Sequence, residues 1–347
     1  MASKNNDAEL TARASGAYRR RHEQGEVRRA TNRAESDATL PDDAIRVRHQ
    51  ACPLCGRESF AALPQMRRVE LVRCATCDGV FTPKIPSLRE LMDHYEGYPR
   101  AEKVDSPISR RAREGWLDRF ESYRETNRFL DVGCDIGLLL DQARARGWET
   151  YGTEFTDEAV TICRDNGHCL HAGLLCEADL EPESFDVVVY TEVIEHINNQ
   201  RDEFARVFEL LRPGGVLYIT TPNFDSLSRR VLGDRWTVID YPEHLVYFTP
   251  KTLRRFMASA GFEEVHLESS GVSVSRLTSS LRPPAPRMKA ANDDAPPLKR
   301  DIRADELIRG AMENSAILGG AKTLVNRMLH HASLGDSIKA SFRKPSD

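Results

Sequence analysis

Four of the eight cysteines form two C-x-x-C pairs, Cys52 with Cys55 and Cys74 with Cys77. A two-residue spacing lets one tight turn aim both sulfurs at a single ion, and Gly56 after the first pair allows the chain to turn back. The spacing between the pairs fits a tetrahedral zinc site with four thiolate ligands. Because four thiolates leave no open position for water, we expect a structural ion. A redox dithiol is the alternative, but that chemistry needs one pair beside a β-α-β unit.

A glycine-punctuated turn is the second group that could do chemistry. A predicted strand, Arg128–Val132, runs into Gly133-Cys134-Asp135-Ile136-Gly137, which opens a predicted helix. Glycines let the backbone approach a ligand closely, and free N–H groups at a helix start favour polar or anionic groups. Glu154 ends the next predicted strand, where a carboxylate can accept both hydroxyls of a ribose. An ordinary turn and a surface glutamate are the alternative.

The third group combines carboxylates with histidines. Glu192-Val193-Ile194-Glu195-His196 begins just past a predicted strand, at the carboxyl edge where ligands of such sheets bind. On a helical turn Glu192 would lie one turn from both Glu195 and His196, and His244 supplies a second imidazole further along. His196 or His244 is the candidate general base. The alternative is a helix start in which the glutamates favour the N-terminus and His196 is structural.

An alternating series of strands and helices must position these groups. Apolar runs and helical spacing predict strands at 128–132, 150–154, 169–172, 185–191, 216–221 and 264–268, and helices at 138–146, 157–166, 200–211 and 250–260. Such alternation predicts a parallel sheet with helices on both faces. Residues 337–344 alternate like an edge strand.

Several of these pieces together resemble a known family. The series Leu130-Asp131-Val132-Gly133-Cys134, Gly137, Glu154, the strand 185–190 and Leu211-Arg212-Pro213-Gly214-Gly215 looks like the motifs of class I S-adenosylmethionine-dependent methyltransferases, over about residues 115–270. The resemblance implies an α/β, Rossmann-like seven-stranded sheet with an antiparallel last strand. It also implies cofactor-binding residues, namely Asp131, Gly133, Cys134, Asp135, Gly137, Glu154, Phe155, Tyr190 and Thr191.

The roles that this resemblance implies are specific. Gly133 and Gly137 would line the methionine part of the cofactor, Glu154 would hold the ribose, and Phe155 would pack near the adenine. The strand end at Tyr190 and Thr191 would face the sulfonium. The family loop usually carries a small residue where this chain has Asp135, whose carboxylate would repel that of the cofactor unless it turns away or a cation intervenes.

The E-x-x-E-H turn is similar to that of ubiquinone-pathway O-methyltransferases and small-RNA 3′-end 2′-O-methyltransferases. That resemblance implies that Glu192, Glu195, His196 and His244 hold Mg²⁺ or Mn²⁺ and polarise an acceptor hydroxyl. A zinc-binding module before such a domain also resembles sugar C-methyltransferases.

The chain divides into four predicted parts. Residues 1–45 form a disordered arm, 46–86 a zinc-ribbon-like module, 87–114 a helical connector and 115–347 the methyltransferase domain. Residues 274–335 would be an insertion between the last two strands. Its helices near 304–332 would help to form the acceptor pocket or would mediate dimerisation.

Composition limits the remaining choices. The 347 residues carry 49 basic and 53 acidic side chains, a net charge of −4, which does not favour general binding of nucleic acid. No apolar run is long enough to span a membrane, and the polar N-terminus lacks a secretory signal, so we expect a cytoplasmic protein.

The sequence predicts methyl transfer to oxygen of a small metabolite, a lipid-linked acceptor or a sugar. A sugar C-methyltransferase remains an alternative, as does an RNA- or protein-binding zinc ribbon attached to an inactive domain. An NAD-dependent oxidoreductase is disfavoured, because the loop lacks the third glycine of the G-x-G-x-x-G pattern.

Overall fold

The computed structural model of the chain describes residues 47–87, 90–91, 94, 105–271, 328–329 and 331–346. The predicted arm at 1–45 lies outside these ranges. So do most of the connector between 87 and 104 and most of the predicted insertion with its helices near 304–332. The described residues belong to one compact unit, Val47–Asp347.

Strands of the described residues are numbered in chain order. They are β1 Phe60–Ala62, β2 Val72–Cys74, β3 Val80–Phe81, β4 Arg128–Val132, β5 Glu149–Glu154, β6 Cys169–Ala172, β7 Phe185–Thr191, β8 Leu211–Pro222, β9 Val246–Tyr247, β10 Glu263–Ser270 and β11 Ser337–Arg343.

The described α-helices are α1 Pro107–Phe120, α2 Leu138–Ala145, α3 Asp157–Asp165, α4 Gln200–Leu210, α5 Leu227–Leu232 and α6 Pro250–Ser259. N-terminal capping explains where two of these helices start. The Ser106 hydroxyl accepts a hydrogen bond from the Ser109 N–H at the start of α1, and Thr249 and Thr252 form a reciprocal capping box on α6. In both helices a proline occupies the first helical position, where no N–H is needed.

The large sheet has seven strands in the order β10-β11-β8-β7-β4-β5-β6. The pairs β8-β7, β7-β4, β4-β5 and β5-β6 are parallel, whereas β11 runs antiparallel to both of its neighbours. The chain leaves β4 on one side to form β5 and β6, and then returns to the other side as β7. The carboxyl ends of β4 and β7 therefore flank a topological switch point, where ligands of such sheets bind.

This architecture confirms the predicted fold class, and it corrects the placement of one strand. Residues 337–344 were expected at an edge, but β11 lies between β8 and β10. Alternate residues of β11 are buried, including Ile338 and Ala340. Alternating apolar and polar residues indicate that one face of a strand is buried more than the other. They do not indicate whether the strand has a hydrogen-bonded neighbour on both sides.

A second sheet of four strands, β1-β2-β3-β9, joins the cysteine-containing module to the rest of the chain. Val80 pairs with Tyr247 and Phe81 with Val246, so β9 comes from the region that the sequence analysis assigned to the methyltransferase domain. One hydrophobic cluster includes Phe81 and Val246. The module and the larger domain therefore share a sheet and a core, although a β9 of two residues carries no periodicity that could predict this.

The helices of the described ranges include none with the length and apolarity that crossing a lipid bilayer requires.

Candidate functional site

The turn after β4 is tightly packed. Gly133 and Gly137 have φ angles of 69° and 79°, in the left-handed region that favours glycine. A Cβ on Gly133 would lie 2.7 Å from Val193 Cγ2, and one on Gly137 would lie 2.8 Å from Cys163 Sγ. The turn after β7, which contains Val193, therefore lies directly against the glycine loop.

Glu154 ties this loop to the next one. Its Oε2 accepts a hydrogen bond from the Asp135 N–H at 3.1 Å, and its Oε1 accepts from the N–H groups of Phe155 at 2.9 Å and Thr156 at 3.1 Å. The carboxylate is thus fixed between the carboxyl ends of two neighbouring parallel strands. The ring of Phe155 is 60% exposed beside it.

Asp131 adds a buried carboxyl to the same edge. Its side chain is 2% exposed, and its Oδ1 has no hydrogen-bond partner among the described residues. Burial, reinforced by the charges of Asp135 and Glu154, raises the pKa of Asp131 to about 8. Three carboxyl groups at one sheet edge favour a ligand that carries positive charge.

A second cluster follows β7. Ligand atoms of Glu195, His196 and His244 all lie within 4.8 Å of one another, and the two imidazole rings are in edge contact at 4.8 Å between centroids. Glu195 is 3% exposed, and its Oε2 accepts a hydrogen bond from the Thr221 hydroxyl at 2.9 Å. The Leu245 N–H donates to the Glu195 carbonyl, which joins the turn after β7 to the segment that precedes β9.

Backbone carbonyls orient both histidines of this acid–histidine cluster. His196 Nδ1 lies 2.7 Å from the Glu243 carbonyl oxygen, and His244 Nδ1 lies 2.6 Å from that of Val238. A carbonyl can only accept, so each Nδ1 carries the proton and each Nε2 of a neutral ring carries the lone pair. Burial lowers the pKa of His196 below its usual value, against the opposing effect of Glu243, and this favours the neutral ring.

Two residues of this region were not singled out from the sequence. His94 Nε2 lies 3.7 Å from Glu243 Oε2, so the connector contributes a third imidazole beside the cluster. Glu243 directly precedes His244, so its place in the sequence could have indicated that it lies beside the cluster. His94 belongs to no motif, and only the tertiary structure brings it here.

The four predicted zinc ligands also come together. Cys52 Sγ lies 3.6 Å from Cys77 Sγ, Cys55 Sγ lies 3.6 Å from Cys74 Sγ, and all four sulfurs lie within 4.8 Å of one another. Tetrahedral Zn–S bonds of about 2.3 Å would separate the sulfurs by about 3.8 Å. The four thiols therefore fit a zinc ion without rearrangement of the backbone.

Comparison with known proteins identifies the larger domain. Residues 102–267 match the family model described as a methyltransferase domain, which covers the glycine loop, Glu154 and the acid–histidine turn. Over these residues the chain is similar to methyltransferase domains. The match begins at residue 102, before α1, and ends within β10.

Relatives include the ubiquinone biosynthesis O-methyltransferases. That of Azoarcus sp. (strain BH72) is 29% identical over 164 residues, which cover 43% of this chain and 69% of the relative. The mitochondrial protein of Rattus norvegicus is 31% identical over 173 residues, which cover 45% and 47%. Among solved structures, phosphoethanolamine N-methyltransferase 2 of Haemonchus contortus superposes with a TM-score of 0.49 at 19% identity, over 77% of this chain and 62% of that one.

The predicted cofactor residues of the methyltransferase domain are largely gathered at the switch point. The glycine loop with Cys134 and Asp135, the Asp131 carboxyl and the Glu154 carboxylate meet at the ends of β4 and β5. S-Adenosylmethionine carries an ammonium and a sulfonium, so a backbone cradle beside buried carboxyl groups fits it. The individual contacts of these residues with the cofactor remain predictions.

Tyr190 is placed differently from the expectation. Its side chain is fully buried, its hydroxyl donates to Glu203 Oε1 at 2.7 Å, and its ring packs on Phe204. The Tyr190 side chain therefore belongs to the core beneath α4 and does not face the sulfonium side. Thr191 is partly buried at the carboxyl end of β7, and its contact with the cofactor stays a prediction.

The expected helical turn at 192–196 is also corrected. Glu192 is exposed and has a φ of 57°, and a short 3₁₀ helix, Ile194–His196, follows it. A left-handed residue at that point swings the Glu192 side chain away, so it lies outside the cluster of Glu195, His196 and His244. One carboxylate with two imidazoles does not fit Mg²⁺, which prefers oxygen ligands.

Proposed function

We propose that the protein transfers the methyl group of S-adenosylmethionine to a hydroxyl oxygen of a small acceptor, with His196 as the general base. The observation that carries this proposal is the position of His196. Its turn lies against the cofactor loop through Val193 and Gly133, and its Nδ1 is held by a carbonyl, so Nε2 is left to accept a proton.

Relatives named ubiquinone biosynthesis O-methyltransferase support oxygen as the acceptor atom. The acceptor classes that remain are a small metabolite, a lipid-linked molecule and a sugar. Carbon methylation of a sugar is the second candidate. The identity of the acceptor atom can be read directly, because NMR of a product made with a ¹³C-methyl cofactor separates O-methyl from C-methyl carbons.

Bound S-adenosylmethionine supplies an electrophilic methyl group. The glycine loop and Glu154 would hold the cofactor at the switch point, and the turn after β7 would present the acceptor beside it. His196 Nε2 would take the hydroxyl proton as the oxygen attacks the methyl carbon and the C–S bond breaks, which leaves S-adenosylhomocysteine as a neutral thioether. The Glu243 carbonyl keeps the ring in the required tautomer. Positioning supplies most of the rate in this type of displacement.

The substitution His196→Gln tests the base, because an amide N–H can still donate to the Glu243 carbonyl. We expect kcat to fall by about 10²–10⁴-fold while the Kd for S-adenosylmethionine changes less than about twofold. His266→Gln, at a half-exposed histidine of β10, is the matched control and should keep full activity. An unchanged kcat in His196→Gln would rule out His196 as the general base. Absence of cofactor binding to the wild type would overturn the whole proposal.

A bound Mn²⁺ is the alternative use of the acid–histidine cluster. It would activate the hydroxyl as a Lewis acid, with Glu195, His196 and His244 as ligands. Electron paramagnetic resonance of added Mn²⁺ distinguishes a bound metal ion from His196 acting as a general base. A bound signal that disappears in Glu195→Gln would favour the metal over the base.

We also propose that Cys52, Cys55, Cys74 and Cys77 bind one structural Zn²⁺. The support is the match between the sulfur separations and tetrahedral thiolate geometry. Such a site needs reduced cysteines, which agrees with the cytoplasmic location that we expect from the sequence. Elemental analysis should give about one zinc per chain, and Cys52→Ser with Cys77→Ser should give none. Zinc-free wild-type protein with intact ribbon resonances would contradict this assignment.

A further inference from the structure

Leu245 links the zinc-ribbon-like module to the acid–histidine cluster. Its N–H donates a hydrogen bond to the Glu195 carbonyl at 2.8 Å, and its carbonyl accepts one from the Thr82 N–H of the module at 2.9 Å. Leu245 is 2% exposed. A buried backbone group that loses its partner is costly, so these two bonds hold Leu245 between the module and the turn after β7.

The packing of side chains follows the same path. Leu245 belongs to one hydrophobic cluster with Phe81 of β3, Ile194 of the turn after β7, and Cys74 and Cys77 of the predicted zinc site. The pairing of β3 with β9 begins at the next residue of the chain. Because protein interiors are close-packed and transmit strain, a shift of β3 would displace Leu245 relative to the turn.

The ring of His196 lies between that turn and the segment that Leu245 ends. Its Nδ1 lies 2.7 Å from the Glu243 carbonyl oxygen, and the ring is in edge contact with that of His244. The backbone of Glu192, within the turn, is a further polar neighbour of the imidazole. A displacement of the segment before β9 relative to the turn would therefore change the hydrogen bond at Nδ1.

We propose that Leu245 is a positioning residue, through which the module keeps the Nδ1–H of His196 on the Glu243 carbonyl. The inference rests on the proposed function, because His196 is the general base that it concerns. A catalytic group that is misplaced by about 1 Å can lose about 100-fold in rate. The module thus supports the chemistry of the acid–histidine cluster as well as the stability of the fold.

The substitution Thr82→Pro in the full chain tests this link. Proline removes the N–H that donates to Leu245, and Phe81 already has the extended backbone that a following proline requires. Nitrogen NMR of protein with ¹⁵N-labelled histidine reports which ring nitrogen carries the proton. We expect Nδ1–H for His196 in the wild type and loss of that signature in Thr82→Pro. Exchange of the Leu245 N–H with solvent should become about 2–10-fold faster.

Two further variants are the controls. Thr82→Val keeps the N–H and removes only a hydroxyl that makes no hydrogen bond within the described part of the chain. Lys251→Met removes the ion pair with Asp78, which is a separate contact between the module and α6. Both variants should give the His196 signature of the wild type.

Calorimetry with S-adenosylmethionine on the same samples shows whether the cofactor site is intact. Its Kd should change less than about threefold in Thr82→Pro, because the lost hydrogen bond lies outside the cofactor loop. If Thr82→Pro binds the cofactor and keeps the wild-type His196 signature, the inference is wrong. The same loss of signature in Lys251→Met would also overturn it, because any loosening of the module would then suffice.

A measurement on the wild type decides the case even if Thr82→Pro does not fold. A Leu245 N–H that exchanges with solvent as fast as an unbonded amide would overturn the inference, whereas slow exchange supports it. None of these measurements needs the acceptor. Wild-type protein that does not bind S-adenosylmethionine refutes the proposed function, while cofactor binding with an unchanged His196 signature in Thr82→Pro refutes only this inference.

Discussion

Two buried aspartates on neighbouring strands of the large sheet lie in opposite electrostatic environments. Asp186, near the amino end of β7, accepts hydrogen bonds from three successive backbone N–H groups, those of residues 125–127, and from Arg212 Nε at 2.6 Å. Asp131, near the carboxyl end of β4, has an Oδ1 with no partner in the described structure, and Asp135 and Glu154 lie close enough to repel its charge.

The pKa values of the two carboxyl groups move in opposite directions. Burial alone would raise the pKa of Asp186, but Arg212 and the three N–H groups outweigh burial and hold it below the usual value near 3.8. Burial and two negative neighbours raise that of Asp131 to about 8. The Asp186 carboxylate at the amino edge is thus stabilised by its partners. Asp131 at the carboxyl edge lies near two further carboxyl groups, whose effect the charge of Arg113 only partly offsets.

The largest expected effect comes from removing the satisfied carboxylate. Asp186→Ala leaves Arg212 Nε and three backbone N–H groups without their acceptor in a buried site, so we expect the free energy of unfolding to fall by about 3–5 kcal/mol. Urea unfolding at pH 7 measures it. Glu181→Gln, which removes an exposed carboxylate paired with Arg128, is the control and should cost about 0–1 kcal/mol. Similar losses in the two variants would show that the amino edge does not depend on Asp186.

An intermediate effect is expected at the carboxyl edge, on binding more than on folding. Glu154→Gln keeps the shape of the side chain but removes the charge that two loops and, by our proposal, a ribose share. Loss of charged hydrogen bonds should weaken S-adenosylmethionine binding by about 10–100-fold, measured by calorimetry. Glu149→Gln, at the exposed start of β5, is the control. If Glu154→Gln sharply lowers the free energy of unfolding but leaves S-adenosylmethionine binding unchanged, Glu154 serves the fold alone.

The sequence predicted the carboxyl edge better than the packing around it. Spacing singled out the four cysteines, the glycine loop and Glu195 with His196, because ligand and cofactor chemistry imposes short, regular distances along the chain. The structure brings the cysteines together and places Glu195 and His196 beside His244, and the roles of these residues stay predictions. It could not find β9 or His94, since a two-residue strand and a lone histidine carry no period. It also misjudged Glu192, where a single left-handed residue reverses the direction of a side chain, and β11, whose neighbours are set by topology.

The smallest and most diagnostic effect is expected at Asp131. It is a difference in how steeply the free energy of unfolding changes with pH. Because the pKa of its folded form is raised, the carboxyl contributes stability that is present at low pH and lost as pH rises through about 8. Asp131→Asn cannot ionise, so between pH 6 and 7 its free energy of unfolding should rise relative to the wild type by about 1.4 kcal/mol. Urea unfolding at both pH values gives this difference.

Asp186→Asn is the matched control for that slope, because its carboxyl titrates below pH 3.8 and the same change should have no pH dependence between pH 6 and 7. Parallel stability curves for the wild type and Asp131→Asn would mean that Asp131 is ionised in the folded protein. A partner would then have to compensate its charge, and the contrast between the two edges would fail. A slope present without cofactor and reduced with saturating S-adenosylmethionine would tie the raised pKa of Asp131 to the site, because a bound cation favours the ionised carboxylate.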